Sequence, residues 1–149
     1  MIVAACDPEH ADARVLVEEL SATLAGITGD SGKSSFDPAD VRGERARFVV
    51  ARAPDGALLG CGALRPLDGK VAELKRMFAR PGTRGVGEAL LTHLEEEARR
   101  LAYGALWLET RRVNTRAVAF YLKHGYREIA PFGRYIGRPE AICLGKAIA

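Results

Sequence analysis

Apolar residues recur along this chain with two different periods, and the switches between them mark its elements. Residues 2–6 form a short apolar run, stopped by Asp7-Pro8, which reads as a helix N-cap followed by proline at the first helical position. Val15, Leu16, Leu20, Leu24 and Ile27 then repeat at helical spacing, so an amphipathic helix is expected down to about Gly26. Residues 28–37 are polar and rich in Gly and Ser, a loop placed where a lid over a substrate could lie. Strand-like runs follow at 47–52 and 57–64, with Pro54-Asp55-Gly56 turning between them, and Leu67-Asp68-Gly69-Lys70 leads into a third strand at Val71–Ala79. These three should pair antiparallel in sequence order.

In the second half, Val86, Leu90, Leu94, Ala98 and Leu101 share one face of a helix expected over 84–103. Glu95 with Arg99 and Glu96 with Arg100 read as i,i+4 pairs on its wet side, and Gly104 ends it. Residues 105–110 read as a strand, Asn114 is placed to cap a helix running to His124, and Gly125 to end that helix in the left-handed conformation. Residues 126–129 and 141–145 close the sheet around a Gly- and Pro-rich loop at 131–139. Strand, helix, three strands, helix, strand, helix, two strands: the order implies an α+β chain whose mixed sheet is covered by helices on both faces.

Composition narrows the function. At 149 residues the chain is expected to form one domain, 1–149. Its 22 Lys and Arg against 19 Asp and Glu are interspersed, without the basic patch and interleaved aromatics of a nucleic-acid reader, so no nucleic-acid partner is expected. Cys6, Cys61 and Cys143 lie far apart in apolar runs and read as small, reduced, buried residues. His10, His93 and His124 are scattered, so no metal is expected. The first residues lack a basic flank, and no run approaches the roughly 20 apolar residues of a membrane span, which points to a cytoplasmic protein with no membrane partner. Gly29-Asp30-Ser31-Gly32-Lys33-Ser34 imitates a P-loop, but the glycine that pattern needs falls at Ile27, and the segment follows a helix rather than a strand.

Three segments carry chemistry. Arg84-Gly85-Val86-Gly87-Glu88-Ala89 opens a helix, whose free N–H groups and dipole could hold a phosphate; the same glycines could equally make only a tight turn. Tyr121 lies seven residues after Asn114, about two turns and about 10 Å along one face, with small Ala117 between them. A tyrosine, with a reference pKa near 10, is protonated at neutral pH and can give its proton to a departing thiolate, although an isolated tyrosine can also simply pack in a core. Glu73 sits inside a strand as either a proton acceptor or the ion-pair partner of Lys75. Backbone N–H groups of Met77, Phe78 and Ala79 could polarise a carbonyl if a bulge or splay leaves them unpaired. Together these suit transfer of an acyl group from a thioester to an amine.

That ordered set resembles the GNAT superfamily of acetyl-CoA-dependent N-acetyltransferases. The resemblance implies a three-layer α/β/α fold with a mixed, centrally splayed sheet, and acetyl-CoA as acyl donor for a small-molecule primary amine attacking directly in a ternary complex. It implies that Met77, Phe78 and Ala79 line the acetyl and pantetheine arm, that Arg84, Gly85, Val86, Gly87, Glu88 and Ala89 cradle the pyrophosphate, and that Asn114, Ala117 and Tyr121 complete the cofactor site. Tyr121 would be the general acid and Glu73 the base. Glu73-Leu-Lys-Arg-Met77 and Gly133-Arg-Tyr-Ile-Gly-Arg-Pro139 look most like a bacterial group within the superfamily. The cofactor turn departs from the family pattern: Gly82 stands where Gln or Arg belongs, and the connection from Arg80-Pro81 to Gly87 is about two residues short. A catalytically weak or inactive CoA-binding regulatory module on the same fold is the alternative that this departure raises. Lys75, Arg111, Arg112 and Arg134 could line an acceptor cleft and favour a carboxylate-bearing amine, or could be ordinary surface cations. Edge strands near the C-terminus leave a homodimer open.

Overall fold

A computed structural model describes residues 1–148, with Ser35 described by its backbone alone. Strands β1 (Ile2–Ala5), β2 (Arg47–Arg52), β3 (Leu58–Pro66), β4 (Val71–Ala79), β5 (Ala105–Arg111), β6 (Arg127–Glu128) and β7 (Ala141–Ala147) form one sheet in the order β1-β2-β3-β4-β5-β7-β6. Every neighbouring pair is antiparallel except β4 and β5, which are joined through α2 (Val86–Arg100) and run parallel. α1 (Ala11–Thr28) lies on one face; α2 and α3 (Thr115–Lys123) lie on the other.

Coverage on both faces explains why β2 reads as an unbroken apolar run. Phe48 and Val50 join Ala13, Leu16 and Leu20 of α1, whereas Val49 and Ala51 join Val86, Leu90 and Leu94 of α2. The mixed sheet between helical layers is the architecture expected from the sequence.

The sheet opens at its centre. β4 and β5 pair only at Val71 with Ala105, Ala72 with Leu106 and Glu73 with Trp107, although β4 continues to Ala79 and β5 to Arg111. β5 stays with β7 over its full length, Arg111 still facing Ala141, so beyond Glu73 it is β4 that parts company. A bulge in β4 accompanies the parting. Cys61 of β3 faces Phe78 and Ala63 faces Lys75, so Arg76 and Met77 together oppose Gly62 alone, and Arg76 takes φ 53°. An extra residue on one strand bends it and sharpens its twist.

Several local expectations are corrected. α1 is capped by His10, not Asp7: Asp7 instead accepts from Glu9 N at 2.8 Å and ion-pairs Arg42 at 2.9 Å, making a turn before the helix. The helix runs through Gly26 to Thr28, and Val15 and Ile27 face outward, each 44% exposed. α2 begins at Val86 and ends at Arg100, inside the expected span. Glu95 faces the core rather than water, accepting from Tyr126 Oη at 2.8 Å and from Lys146 Nζ at 3.1 Å. Its position between Leu91 and Ala98 on the helix's inner face puts it there, and Arg99 donates to Ile148 O while Arg100 pairs with Glu97. β6 shrinks to two residues while β7 extends to Ala147. Cys61 and Cys143 are buried, but Cys6, just past β1, is only half-buried. Among the described residues no helix is long and apolar enough to cross a membrane.

Candidate active site

The opening between β4 and β5 holds a cavity of about 160 Å³. β4 supplies Glu73, Lys75, Arg76 and Met77 to its wall, β5 supplies Glu109 and Arg111, and α3 supplies Asn114, Ala117 and Tyr121. Asp30 and Gly32 from the loop after α1, and Arg134, Tyr135 and Arg138 from the late loop, close the outer side.

On α3, Asn114 works first as the helix cap, its Oδ1 accepting from Ala117 N at 3.4 Å. The cap starts the helix so that positions 114, 117 and 121 all face the cavity. Tyr121 is 8% exposed and its ring meets Phe120 and Tyr126 edge-on, at 5.2 and 5.6 Å between centroids. Its hydroxyl has no hydrogen-bond partner among the described residues. Burial pushes its pKa above the usual tyrosine value, so the phenol is held protonated.

The glycine turn has separable parts. Pro81 and Gly82 (φ 82°) form a tight turn closed by Thr83 N to Arg80 O, consistent with a type II turn. Gly85, at φ 71°, caps α2 without a side chain. From Arg84 to Glu88 no backbone N–H is hydrogen-bonded among the described residues, which leaves a row of donors at the positive end of a 15-residue helix. A Cβ on Gly87 would lie 3.3 Å from the Phe120 ring, so this glycine lets α2 start close against α3. Arg84 is exposed and forms no ion pair among the described residues, whereas Arg80 is committed to Glu19 of α1 at 2.6 Å. The residues present therefore fit a diphosphate despite the shortened connection. Val86 and Phe78 are buried in opposite cores and offer only backbone; Met77 is half-buried at the cavity, Ala89 half-buried, and Ala79 and Glu88 exposed.

Glu73 is 2% exposed and fully engaged. Arg65 Nη1 donates to its Oε1 at 3.1 Å, Tyr135 Oη donates to its Oε2 at 2.7 Å, and Lys75 Nζ stands 3.8 Å away. The ion pair with Lys75 exists, but Arg65 and Tyr135 hold the carboxylate more closely. Glu109, across the opening, is less engaged: its Oε2 accepts from Arg111 at 3.2 Å. Burial raises the Glu109 pKa above the ordinary carboxylate range, with Arg111 and Lys75 pulling it back. Burial also lowers the Lys75 ammonium pKa, against the pull of Glu73.

Of the four cations expected to line an acceptor cleft, Lys75, Arg111 and Arg134 reach the cavity. Arg112 does not; it lies in the turn just after β5, is exposed and pairs with Glu128 at 3.1 Å. Arg111 is already surrounded by Asp30 at 2.9 Å, Glu109 at 3.2 Å and Glu140 at 3.8 Å. The polar loop lies over the cavity as a lid would, tied by Asp30 to Arg111 and by Ser34 O to Arg134 Nη1 at 2.9 Å. Within it Lys33–Ser35 is a single 3₁₀ turn following α1, not a phosphate cradle at the end of a strand.

Glu109, Arg76, Arg65 and Tyr135 escaped the sequence pattern. A carboxylate near the end of a largely apolar strand signals Glu109; Arg76 and Tyr135 lie within the two segments that mark the bacterial group, though not as site residues, and nothing in the sequence signals Arg65.

Residues 15–126 match the model of the acetyltransferase (GNAT) family. The chain is similar to an IAA acetyltransferase of Azospirillum brasilense, 35% identical over 136 residues covering 89% of this chain and 88% of that one. It superposes on an assigned acyl-CoA N-acyltransferase from Klebsiella pneumoniae with a TM-score of 0.84 at 26% identity, covering 99% and 97% of the two chains. A GNAT family acetyltransferase from Elizabethkingia anophelis, solved with acetyl-CoA bound, shares the fold at a TM-score of 0.72 and 17% identity, covering 98% and 97%.

Proposed function

The chain belongs to the GNAT acetyltransferase family, with acetyl-CoA as acyl donor, and from that premise we propose that it acetylates the primary amine of a small molecule by direct attack. The observation that carries this reading is the opening between β4 and β5, where the Tyr121 hydroxyl, unpartnered among the described residues, shares one cavity with the buried carboxylate of Glu73 and the half-buried one of Glu109. Acetyl-CoA supplies an acetyl group already activated as a thioester. Its diphosphate is assigned to the free N–H groups from Arg84 to Glu88, with Ala89 beside them and Arg84 as an exposed cation. Asn114 and Ala117 flank the arm, and of the β4 residues Met77, Phe78 and Ala79 beside the opening, Met77 and Ala79 turn their amide N–H groups away from β3 and toward it, whereas the Phe78 N–H faces β3.

In this mechanism Glu73 takes a proton from the amine nitrogen through water as the C–N bond forms, and Tyr121 gives its proton to sulfur as the C–S bond breaks. Cys61 and Cys143 are buried in the core layers, so no acyl-enzyme is required. A second reading of the base has its own support: Glu109 has an oxygen with no hydrogen-bond partner among the described residues and a pKa that burial raises.

Five cations line the cavity (Lys75, Arg76, Arg111, Arg134 and Arg138) against three carboxylates (Asp30, Glu73 and Glu109), which favours an acceptor that carries a carboxylate. The rest of the proposal is a single domain acting in the cytoplasm, of the group marked by the Glu73–Met77 and Gly133–Pro139 segments, with a homodimer through edge strand β6. Sedimentation reads the last directly.

Acetyl-CoA consumption should be screened over amino acids, polyamines, aminoglycosides, peptides and IAA, after which the Azospirillum brasilense relative is named. Turnover with a small amine supports the reading. Calorimetric binding of acetyl-CoA with no transfer to any amine would instead favour a CoA-binding module.

A further inference from the structure

Arg76 is a buried charge with no ion-pair partner among the described residues; the carboxylate that acts on it, Glu18, does so at longer range and pairs with Lys33. It is 7% exposed, and its guanidinium donates to neutral oxygens, Ser21 Oγ and Ser31 O, and lies over the Phe36 ring at 5.5 Å. Its Nε is buried with no hydrogen-bond partner among the described residues. Arg111, on the opposite wall of the same cavity, has three carboxylates around it. Removing a guanidinium from water without a compensating anion costs free energy, and such charges are kept where something else supplies the anion.

The bulge explains how Arg76 reaches this position. In a regular strand it would point away from Lys75, toward α2. With Arg76 and Met77 sharing one place opposite Gly62, the alternation slips: Lys75 and Arg76 both project toward α1 and its loop, and Met77 goes to the α2 side. A left-handed φ on a non-glycine residue marks a conformation that its surroundings impose.

We propose that Arg76 is a specificity-determining residue, whose guanidinium pairs with an anionic group, a carboxylate in the first instance, on the amine acceptor. The proposal rests on the acetyl-transfer reading for its substrate but not for its test. Ser31 O and Ser21 Oγ hold the guanidinium in the cavity wall until the acceptor's anion arrives. A merely structural Arg76, tying that loop to the sheet, would leave acceptor charge unread.

The test compares L-amino acids with their own amino-acid amides, which keep the amine and lose the anion. The wild-type protein should favour the acids by at least about tenfold in kcat/KM, the scale of a charge-assisted hydrogen bond. Arg76→Gln should erase most of that preference with the KM for acetyl-CoA unchanged, and Arg76→Lys should keep part of it. Calorimetric titration of the same acid and amide pairs onto the CoA-loaded protein reads the preference without turnover. Arg76-dependent binding of acids with no acetyl transfer would sustain this proposal and defeat the acetyl-transfer reading. Acids and amides treated alike by the wild-type protein, or a preference that survives in Arg76→Gln, would overturn it. A lowered melting temperature in Arg76→Gln with unchanged preference would identify the tie to the loop as the residue's whole role.

Discussion

Replacing Tyr121 with Phe removes one hydroxyl and little else, which makes it the sharpest probe of the proposed chemistry. The ring contacts with Phe120 and Tyr126 are retained by phenylalanine, and no protein hydrogen bond is lost among the described residues. Stability should therefore change by less than about 1 kcal/mol, or about 2–4 °C in melting temperature for a chain of this size. The rate should respond far more. A positioned general acid is worth about 10²–10⁴-fold, or about 3–5 kcal/mol of barrier. In water a tyrosine at about 10 is about 1.5 units weaker as an acid than an aliphatic thiol at about 8.5, an uphill transfer of about 2 kcal/mol. The burial that raises the Tyr121 pKa would raise that of a thiolate leaving in the same cavity, so the mismatch stays near its value in water rather than growing. Single-turnover rates measured with acetyl-CoA and with the acetyl thioester of a much more acidic aryl thiol separate the roles. With the aryl donor, whose thiolate needs no proton, the defect of Tyr121→Phe should shrink at least about tenfold. An equal defect with both donors, or full turnover with acetyl-CoA, would refute the assignment.

The two carboxylates can be told apart by pH. If Glu109 is the base, kcat/KM falls as pH drops through its raised pKa, and Glu109→Gln abolishes that acidic limb while Glu73→Gln leaves it in place; the reverse pattern assigns Glu73. The linkage has a definite sign: because folding raises the Glu109 pKa, its favourable contribution is full below the unfolded value and lost as pH rises through the folded one. Glu109→Gln, neutral at every pH, should therefore gain melting temperature relative to wild type as pH rises. Gly87→Ala should raise the KM for acetyl-CoA more than it lowers kcat, since its Cβ would press on Phe120 and tilt the donor row of α2. Gly60→Ala would bring a Cβ within 2.3 Å of Phe78 O, a backbone atom that cannot step aside, and should cost about 1–3 kcal/mol or more in urea unfolding. The Cys61 thiol, 0% exposed and pushed up to about 12, should resist a thiol reagent until the protein unfolds, with half-buried Cys6 reacting first.

Much of the scaffold was legible because its signals are local. Asn114 as a cap, Gly125 as a left-handed stop and the 3.6-residue repeat of α2 each depend on a few neighbouring residues, and each stands where the sequence put it. Partner choice was not legible. Glu95 and Arg99 have the spacing of an exposed helix pair, but Glu95 is claimed by Tyr126 and Lys146, which arrive from over 30 and 50 residues away. Glu73 likewise had Lys75 on its own strand as its candidate ion-pair partner, yet Arg65 on β3 and Tyr135 beyond β6 hold it more closely. A sequence shows which charges are present and not which of them the sheet brings face to face.

The bulge is the clearest case, because one extra residue in β4 settles three matters that strand alternation alone would answer wrongly. Regular alternation would place Met77 on the side of Glu73 and Lys75 and send Arg76 toward α2. With two residues opposite Gly62, Met77 instead packs with the α2 core and reaches the cavity from that side. Arg76 joins Lys75 on the α1 side, where it has hydrogen bonds but no ion-pair partner among the described residues. The same turn of the strand carries β4 away from β5, and that separation makes room for the cavity and strips the β4 edge of its strand partner. A Cβ on Gly62 would fall 2.5 Å from Met77 Sδ, so glycine on β3 leaves room for the Met77 side chain on the α2 side. The cavity, its unpaired edge and its buried cation thus share one geometric cause, and it lies in a pairing between two strands that neither strand's sequence displays alone.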